Sequence, residues 1–192
     1  MSAESPRTDT SARITAATFA LLADRGLAGI TMSAIAIEAG IARQTLYNHF
    51  PDVDSILAAA MAEHHQADLE ALAAMLATVP TATGRLDHLV RHTTVNAAEH
   101  GTLPVLHEGL SPAAQHAAHD YQARIRQMIQ DVLSLGQQSG ELDPTYDPDQ
   151  QSVLVHHLLH GAAELAASRP DDVAQITDAT IGLLRAVTHP AR

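Results

Sequence analysis

Residues Thr31–Phe50 read TMSAIAIEAGIARQTLYNHF, and this stretch decides the fold of the N-terminal part of the chain. Thr31 is a helix-capping residue and Gly40 a helix-ending one, so a first helix is predicted over Ser33–Ala39. A second helix is predicted over Arg43–His49, because a proline two residues later prevents its continuation. The inward positions are apolar: Ile35, Ala36, Ala39, Ile41, Leu46 and Phe50. Two short helices around so tight a turn predict a helix-turn-helix.

The outward face of the second helix carries one arginine and otherwise uncharged polar groups. A helix that only contributes to the fold would carry charged residues there, and one charged residue could replace another. Its residues are Arg43, Gln44, Thr45, Tyr47, Asn48 and His49. Side chains of these types hydrogen-bond base edges and phosphates when a helix lies in the major groove. The pattern therefore predicts double-stranded DNA as a partner.

The rest of the chain has the pattern of helices separated by glycine and proline. An N-terminal helix is predicted to stop at Gly26, and six more are predicted after the helix-turn-helix, over about 54–78, 85–100, 103–108, 112–139, 149–167 and 171–188. The expected fold is all-α, a nine-helix bundle of two subdomains. Residues 1–10 are predicted to be a disordered tail, residues 11–55 a DNA-binding domain, and residues 56–192 a ligand-binding and dimerisation domain.

Composition supports an all-α globular protein whose interior is filled by alanine and aliphatic residues. The chain is 46% hydrophobic, 17% charged and only 3% aromatic, with no tryptophan. It has no cysteine, which excludes disulfides, thiolate zinc sites and a cysteine nucleophile, and suits a reducing compartment. No run approaches the roughly 20 apolar residues that a membrane span needs. We therefore expect a soluble, cytoplasmic protein without a membrane partner.

The net charge of −11 is unusual for a DNA-binding protein, because attraction to phosphates supplies much of the affinity. Residues 1–60 hold four arginines and six acids, a net charge of −2, which leaves −9 for the remainder. The DNA-proximal part is thus nearly neutral. Every basic residue is arginine, whose planar fork suits phosphate and guanine.

From Gly26 to Phe50 the sequence fits the pattern G-x-x-x-x-T-x-x-x-I-A-x-x-A-G-x-x-x-x-T-L-Y-x-H-F and resembles the TetR-type repressor family. The resemblance implies that Arg43 and Gln44 read bases, Arg favouring guanine and Gln adenine, and that Thr45 meets a thymine methyl or a phosphate. Phosphate contacts are implied for Thr31, Tyr47 and His49, and contacts to the backbone or a base for Ser33 and Asn48.

Two positions depart from the family pattern. Ala42 stands where a capping serine is common, so the second helix of the motif loses its usual cap. Asp52 and Asp54 flank the position where the family tends to have a lysine that reaches a phosphate. These carboxylates predict weaker DNA binding with a shallower dependence on salt.

The resemblance also implies a ligand-responsive regulator that releases its operator when a small effector of unknown identity binds. Helices four to seven would enclose the pocket, and no cofactor is required. The expected lining residues are Leu57, Met61, His65, Leu89, His92, Leu103, Leu106, Tyr121 and Ile125.

The last two helices are predicted to form a homodimer interface. Their apolar residues repeat at helical spacing: Val153, Leu154, Leu158, Gly161, Ala162 and Leu165, then Val173, Ile176, Thr180, Leu183, Leu184 and Val187. Pairing of these helices across a two-fold axis would give a four-helix interface. Burial against the chain's own pocket domain is the alternative.

The thirteen histidines leave a second function open. Pairs at helical spacing suit two imidazoles on one metal ion, which would make the chain a metal-sensing regulator or an all-α metal-binding protein. The candidate ligands are His88, His92, His116 and His119. Histidines scattered over polar surfaces are the competing interpretation.

No enzyme signature is present. The chain lacks a glycine-rich phosphate loop, a nucleophile elbow and a Ser-His-Asp grouping. Asp143 and Asp147 lie in a proline-rich loop and are interpreted as turn residues. We therefore expect a non-enzymatic protein.

Overall fold

The computed structural model describes residues 6–100 and 112–189, and all of its regular structure is helical. Glycines, prolines and capping residues divide the chain into helices, as their backbone preferences require. Eight α-helices are present in the described residues: α1 Pro6–Arg25, α2 Met32–Glu38, α3 Arg43–His49, α4 Val53–Thr78, α5 Ala82–His100, α6 Pro112–Ser139, α7 Pro148–Ser168 and α8 Val173–Thr188. Short 3₁₀ turns cover Leu27–Gly29 and Pro170–Asp172.

The all-α prediction is confirmed, but the count of nine helices is wrong. The described residues hold eight, and the extra helix predicted over residues 103–108 lies outside them. The other predicted helices are present within a few residues of their predicted limits.

The predicted tail over residues 1–10 needs a correction at its C-terminal half. Helix α1 begins at Pro6, so residues 6–10 are helical, and residues 1–5 lie outside the described part. A proline is well tolerated in the first turn of a helix, because its fixed φ suits the helix and its missing N–H has no intrahelical partner there. The polar composition of this segment concealed the helix start.

The described chain forms two units, and the first is built around the helix-turn-helix. It contains residues 6–67 and 112–121, so it takes in part of α4 and the beginning of α6 as well as α1, α2 and α3. Its core is almost wholly aliphatic: Ile14, Ala17, Leu21, Ile30, Ile35, Ala36, Ala39, Leu46, Ile56 and Leu57. This core fixes the position of α2 and α3 against α1 and the start of α4.

The second unit contains residues 68–100 and 122–189, and α5 packs against both α7 and α8 within it. Its main core is also aliphatic, with Leu72, Leu86, Leu89, Ile129, Leu133, Leu142, Leu159 and Leu184 among its members. Thr94 of α5 and Thr177 of α8 are both buried, and their hydroxyls form a 2.7 Å hydrogen bond. Each buried hydroxyl is thereby satisfied, as burial of a polar group requires.

Gly136 allows the loop after α6 to pack tightly against that helix. The backbone N–H groups of Glu141 and Leu142 both donate to the Gly136 carbonyl, at 2.9 and 3.0 Å. A Cβ at this position would lie 2.5 Å from side-chain carbons of Leu142 and 2.8 Å from the Cβ of Ala82. Only a residue without a side chain fits between these neighbours.

No helix of the described residues is long and apolar enough to cross a membrane.

We predict that Gly136→Ala lowers the free energy of unfolding by about 1–3 kcal/mol, because the added methyl group overpacks the core. Denaturant unfolding followed by circular dichroism measures the change. Gly182→Ala is the matched control, since a Cβ there meets no atom within 4 Å and alanine favours a helix interior by up to about 1 kcal/mol. Equal destabilisation by the two substitutions would contradict the packing argument.

Candidate DNA-binding site

The turn between α2 and α3 has the geometry that the sequence predicts. Thr31 is the N-cap of α2, and its hydroxyl accepts a 3.1 Å hydrogen bond from the Ala34 N–H. Gly40 has a φ of 63°, which a residue with a side chain rarely adopts. Ile41 then returns its N–H to the Ala36 carbonyl at 3.0 Å. The cap and the left-handed glycine together set the direction in which α3 leaves the turn.

Arg13 of α1 supports this turn, and the sequence analysis did not assign it a role. Its Nη2 donates to the carbonyls of Ala39 and Gly40, at 2.7 and 3.3 Å. These carbonyls lie at the C-terminal end of α2, where a cation also interacts favourably with the helix dipole. Arg13 precedes the first core residue of α1, but local pattern does not reveal a contact with residues 26 positions away.

Ala42 is the N-cap residue of α3 and makes no side-chain hydrogen bond, which confirms the predicted missing cap. The helix is instead fixed by Leu46, whose side chain is fully buried in the core of the first unit. Tertiary packing of an inward face stabilises a two-turn helix more effectively than its caps do.

The outward face of α3 is accessible. Arg43, Gln44 and Asn48 are exposed, and Tyr47 has 52% of its surface exposed. Thr45 and His49 are half-buried at the edges of this face. The Gln44 amide donates to the Asn48 side-chain carbonyl at 3.3 Å, so these two groups form one polar strip along the helix.

Ser33 and Arg43 connect the two helices of the motif. A guanidinium N–H of Arg43 donates to the Ser33 hydroxyl, ten residues earlier in the chain. Both residues were predicted to contact DNA, and the structure adds that they contact each other.

The start of α4 uses Asp52 as a capping residue, a role that the sequence analysis missed. Its carboxylate accepts from the Ser55 N–H at 2.8 Å, and its own N–H donates to the Ser55 hydroxyl at 3.4 Å. An aspartate directly before a helix and a serine three residues later were the available signal. The carboxylate expected to weaken DNA binding thus also stabilises a helix start.

Three consecutive residues of α4 hold neighbouring helices of the first unit. Glu63 accepts a 2.7 Å hydrogen bond from the Thr15 hydroxyl of α1, and the His64 ring lies 5.0 Å from that of Phe19. The His65 ring stacks on Tyr121 of α6, with centroids 4.2 Å apart and planes 18° from parallel. This segment of α4 therefore contacts both α1 and α6.

The predicted effector-pocket residues fall in different parts of the structure. His65 and Tyr121 are in contact, and Met61 is buried in the same unit. Leu57 and Leu89 belong to the apolar cores of the first and second units, and Ile125 packs against the second core. Leu103 and Leu106 lie outside the described residues. The pocket as a whole stays a prediction.

Three of the four candidate metal ligands make other contacts. His92 lies 3.0 Å from the Asp68 carboxylate, and His116 lies 3.3 Å from that of Asp120. His119 Nδ1 is 2.8 Å from the Gln115 carbonyl oxygen. Among residues 6–100 and 112–189, no three His, Cys, Asp or Glu side chains are grouped closely enough to hold a metal ion.

Helices α7 and α8 present an apolar surface with a groove of about 510 Å³ between them. Leu154 is 71% exposed and Leu183 58% exposed, although other predicted interface residues, such as Leu184, are buried in the second unit's own core. Charged side chains, including Arg169 and Asp172, also line the groove. The last two helices thus contribute both to the fold of the chain and to an uncovered apolar face.

His156 of α7 stands in an unfavourable environment for a positive charge. Burial lowers its pKa from the ordinary histidine value, and repulsion from His157, His160 and Arg126 lowers it further. Because the unfolded chain takes up the proton more readily than the folded one, this residue makes stability fall as the pH drops below about 6.5.

Comparison with known proteins identifies the N-terminal segment. Residues 14–60 match the family model of the bacterial regulatory proteins of the tetR family. An uncharacterized HTH-type transcriptional regulator from Mycobacterium bovis is 35% identical over 80 residues, which are 42% of this chain and 39% of that protein. The chain therefore spans about two fifths of the length of this curated relative.

Solved structures share the fold over most of the chain. A Saccharomonospora viridis protein in complex with choline has a TM-score of 0.84 at 23% identity, and the match covers 96% of this chain and 100% of that one. The transcriptional regulator FadR from Bacillus subtilis, in complex with stearoyl-CoA, has a TM-score of 0.77 at 18% identity and coverages of 90% and 96%.

The N-terminal segment thus forms a helix-turn-helix that matches a family of bacterial regulatory proteins. The match of residues 14–60 to the tetR family model confirms the resemblance inferred from residues 26–50.

We predict that Arg13→Ala lowers the free energy of unfolding by about 0.5–1.5 kcal/mol, the usual contribution of a hydrogen bond, because the carbonyls of Ala39 and Gly40 lose their donor. Urea unfolding measures the loss. Arg25→Ala is the matched control, since Arg25 is an exposed arginine that pairs with the adjacent Asp24. An equal change in both variants would contradict the assigned role of Arg13.

Proposed function

We propose that this chain is a transcriptional repressor that binds operator DNA as a homodimer and releases it when a small effector binds. The observation that carries the proposal is the exposed polar face of α3, presented by a helix-turn-helix of the tetR family. This face supplies donors and acceptors for base edges, while Leu46 on the opposite side is fully buried. Helix α3 is then the element that enters the major groove.

In this proposal, Arg43 donates to the O6 and N7 atoms of guanine, and Gln44 pairs with adenine. Thr45 lies beside them and contacts a thymine methyl or a phosphate. Thr31, Tyr47 and His49 hydrogen-bond phosphates and so fix the register of α3 on the duplex. Asn48, which accepts from Gln44 in the free protein, contacts the backbone or a base.

The charges at the start of α4 limit the affinity of this contact. Asp52 and Asp54 are both exposed next to the end of α3. Each repels phosphates, and the chain has no lysine to compensate. Simultaneous docking of two half-sites therefore has to supply much of the affinity, which favours a dimer.

The exposed apolar residues of α7 and α8 support these helices as the dimer interface. A two-fold axis through this face would cover Leu154 and Leu183 and fill the groove between the helices. Adjacent major grooves on one side of DNA are about 34–36 Å apart, so a dimer has to present its two α3 helices at that separation.

The contacts of Glu63, His64 and His65 support a route for the effector response. An effector that moves α6 would act on His65 through the Tyr121 ring, and α4 would pass the movement to α1 through Thr15 and Phe19. If the binding free energy of the effector differs by about 2–3 kcal/mol between the operator-binding state and the released state, operator affinity would fall about 30- to 150-fold. Choline and stearoyl-CoA in the similar structures are ligands of those proteins, and they suggest that this fold admits varied effectors.

We predict that Arg43→Ala combined with Tyr47→Ala abolishes sequence-specific DNA binding and leaves the fold intact. Both side chains are exposed, so the substitutions remove DNA contacts without opening the core. Selection from a randomised duplex library, followed by fluorescence anisotropy on the selected duplex, measures the binding. Circular dichroism checks the fold.

Arg124→Ala combined with Tyr146→Ala is the matched control, because it removes one exposed arginine and one exposed tyrosine outside the helix-turn-helix. Selection of no consensus by the parent protein would contradict the proposal.

Effector release is tested on the selected duplex with divalent metals, choline and long-chain acyl-CoA, after a thermal-shift screen for binding.

We predict that Leu183→Glu converts the dimer into a monomer and weakens operator binding, because a charge is placed in the centre of the apolar face. Light scattering after size-exclusion chromatography measures the mass. Ala174→Glu adds the same charge at an exposed position of α8 that does not line the groove, so it should stay dimeric. A dimeric Leu183→Glu variant would place the interface elsewhere.

A further inference from the structure

We infer that Ser33 is a positioning residue for Arg43: it holds the guanidinium so that Arg43 discriminates guanine from the other bases. The inference rests on the proposed function, and it replaces a direct contact of Ser33 with DNA as this residue's main contribution. An Arg43 N–H donates a hydrogen bond to the Ser33 hydroxyl.

The need for such support follows from where Arg43 stands. It is the first residue of α3, it is exposed, and the residue before it provides no side-chain cap. A long, exposed arginine at a helix start samples many rotamers, and fixing one of them costs free energy on binding. Ser33 lies near the start of α2, a helix whose N-cap and core contacts hold it in place. The hydrogen bond thus restrains the Arg43 side chain by joining it to Ser33, whose helix is held in place.

The chemistry of the pair leaves the base-reading groups available. A guanidinium has five N–H donors, and Ser33 accepts from one of them. The remaining donors still include two that can address O6 and N7 of guanine together. The serine is neutral, so it holds the arginine and leaves in place the positive charge that attracts DNA. A carboxylate at this position would cancel that charge.

A positioning role and a direct DNA contact predict different losses. If Ser33 acts through Arg43, its removal weakens binding only where Arg43 is present, and the loss is largest for duplexes with guanine at the position that Arg43 reads. If Ser33 contacts a phosphate, its removal weakens binding to all duplexes alike and does so with or without Arg43.

A double-mutant cycle on the full-length protein tests the inference. The proteins are the parent, Ser33→Ala, Arg43→Ala and the double variant. The probes are the duplex selected from a randomised library and single-base-pair variants of it. Arg43→Ala identifies the base pair that Arg43 reads, because discrimination there is lost. Ser33→Thr keeps a hydroxyl at the position, and Ser168→Ala removes an exposed hydroxyl from the end of α7 as a control.

We expect Ser33→Ala to weaken binding of the selected duplex about 2- to 12-fold, the range for ordering one long side chain. It should reduce discrimination at the base pair read by Arg43 and have no further effect in the Arg43→Ala background. Ser33→Thr should restore most of the discrimination, and Ser168→Ala should match the parent.

Equal losses from Ser33→Ala in the two backgrounds, or a loss that is uniform over all base-pair variants, would overturn the inference. So would unchanged binding. Failure of the proposed function gives a different result, because the parent protein would then select no consensus from the library. If a consensus is selected but Arg43→Ala leaves discrimination intact at every position, Arg43 reads no base and the positioning role of Ser33 is also rejected.

Discussion

The left-handed turn at Gly40 is the constraint on which the proposed DNA-binding surface depends. It directs α3 away from α2, so that Leu46 enters the core while Arg43 and Tyr47 face outward. The turn would leave the carbonyls at the end of α2 without partners, and Arg13 of α1 donates to two of them. A glycine and a distant arginine together therefore determine which residues the motif presents.

Local signals predicted this part of the fold well, because caps, glycines and prolines act on neighbouring residues. The limits of α3 and the capping role of Thr31 followed from them directly. Contacts between distant residues left no such signal. Arg13 meets residues 26 and 27 positions later, and the stacking of His65 on Tyr121 requires two helices far apart in sequence to be neighbours.

The ligand side was less predictable for a related physical reason. Apolar residues that line a pocket and those that fill a core have the same pattern along a helix. Leu57 and Leu89 fit that pattern and belong to apolar cores, and Tyr121 packs against a histidine, so their role in a pocket stays a prediction. His92, His116 and His119 likewise contact nearby carboxylates or a backbone carbonyl. Metal-binding spacing along one helix does not bring a third ligand close to a histidine pair.

The reciprocal hydrogen bonds between Asp52 and Ser55 have a consequence for sensitivity to the effector. The Asp52 carboxylate that caps α4 cannot be exchanged for a cation without loss of the cap, so local stability keeps a negative charge beside the proposed DNA contact. A repressor that binds its operator with modest affinity in the absence of effector is released more easily. The effector then needs a smaller difference in affinity between the two states of the protein. In the proposed function, the helix start would set a low threshold for induction, at the cost of some background expression.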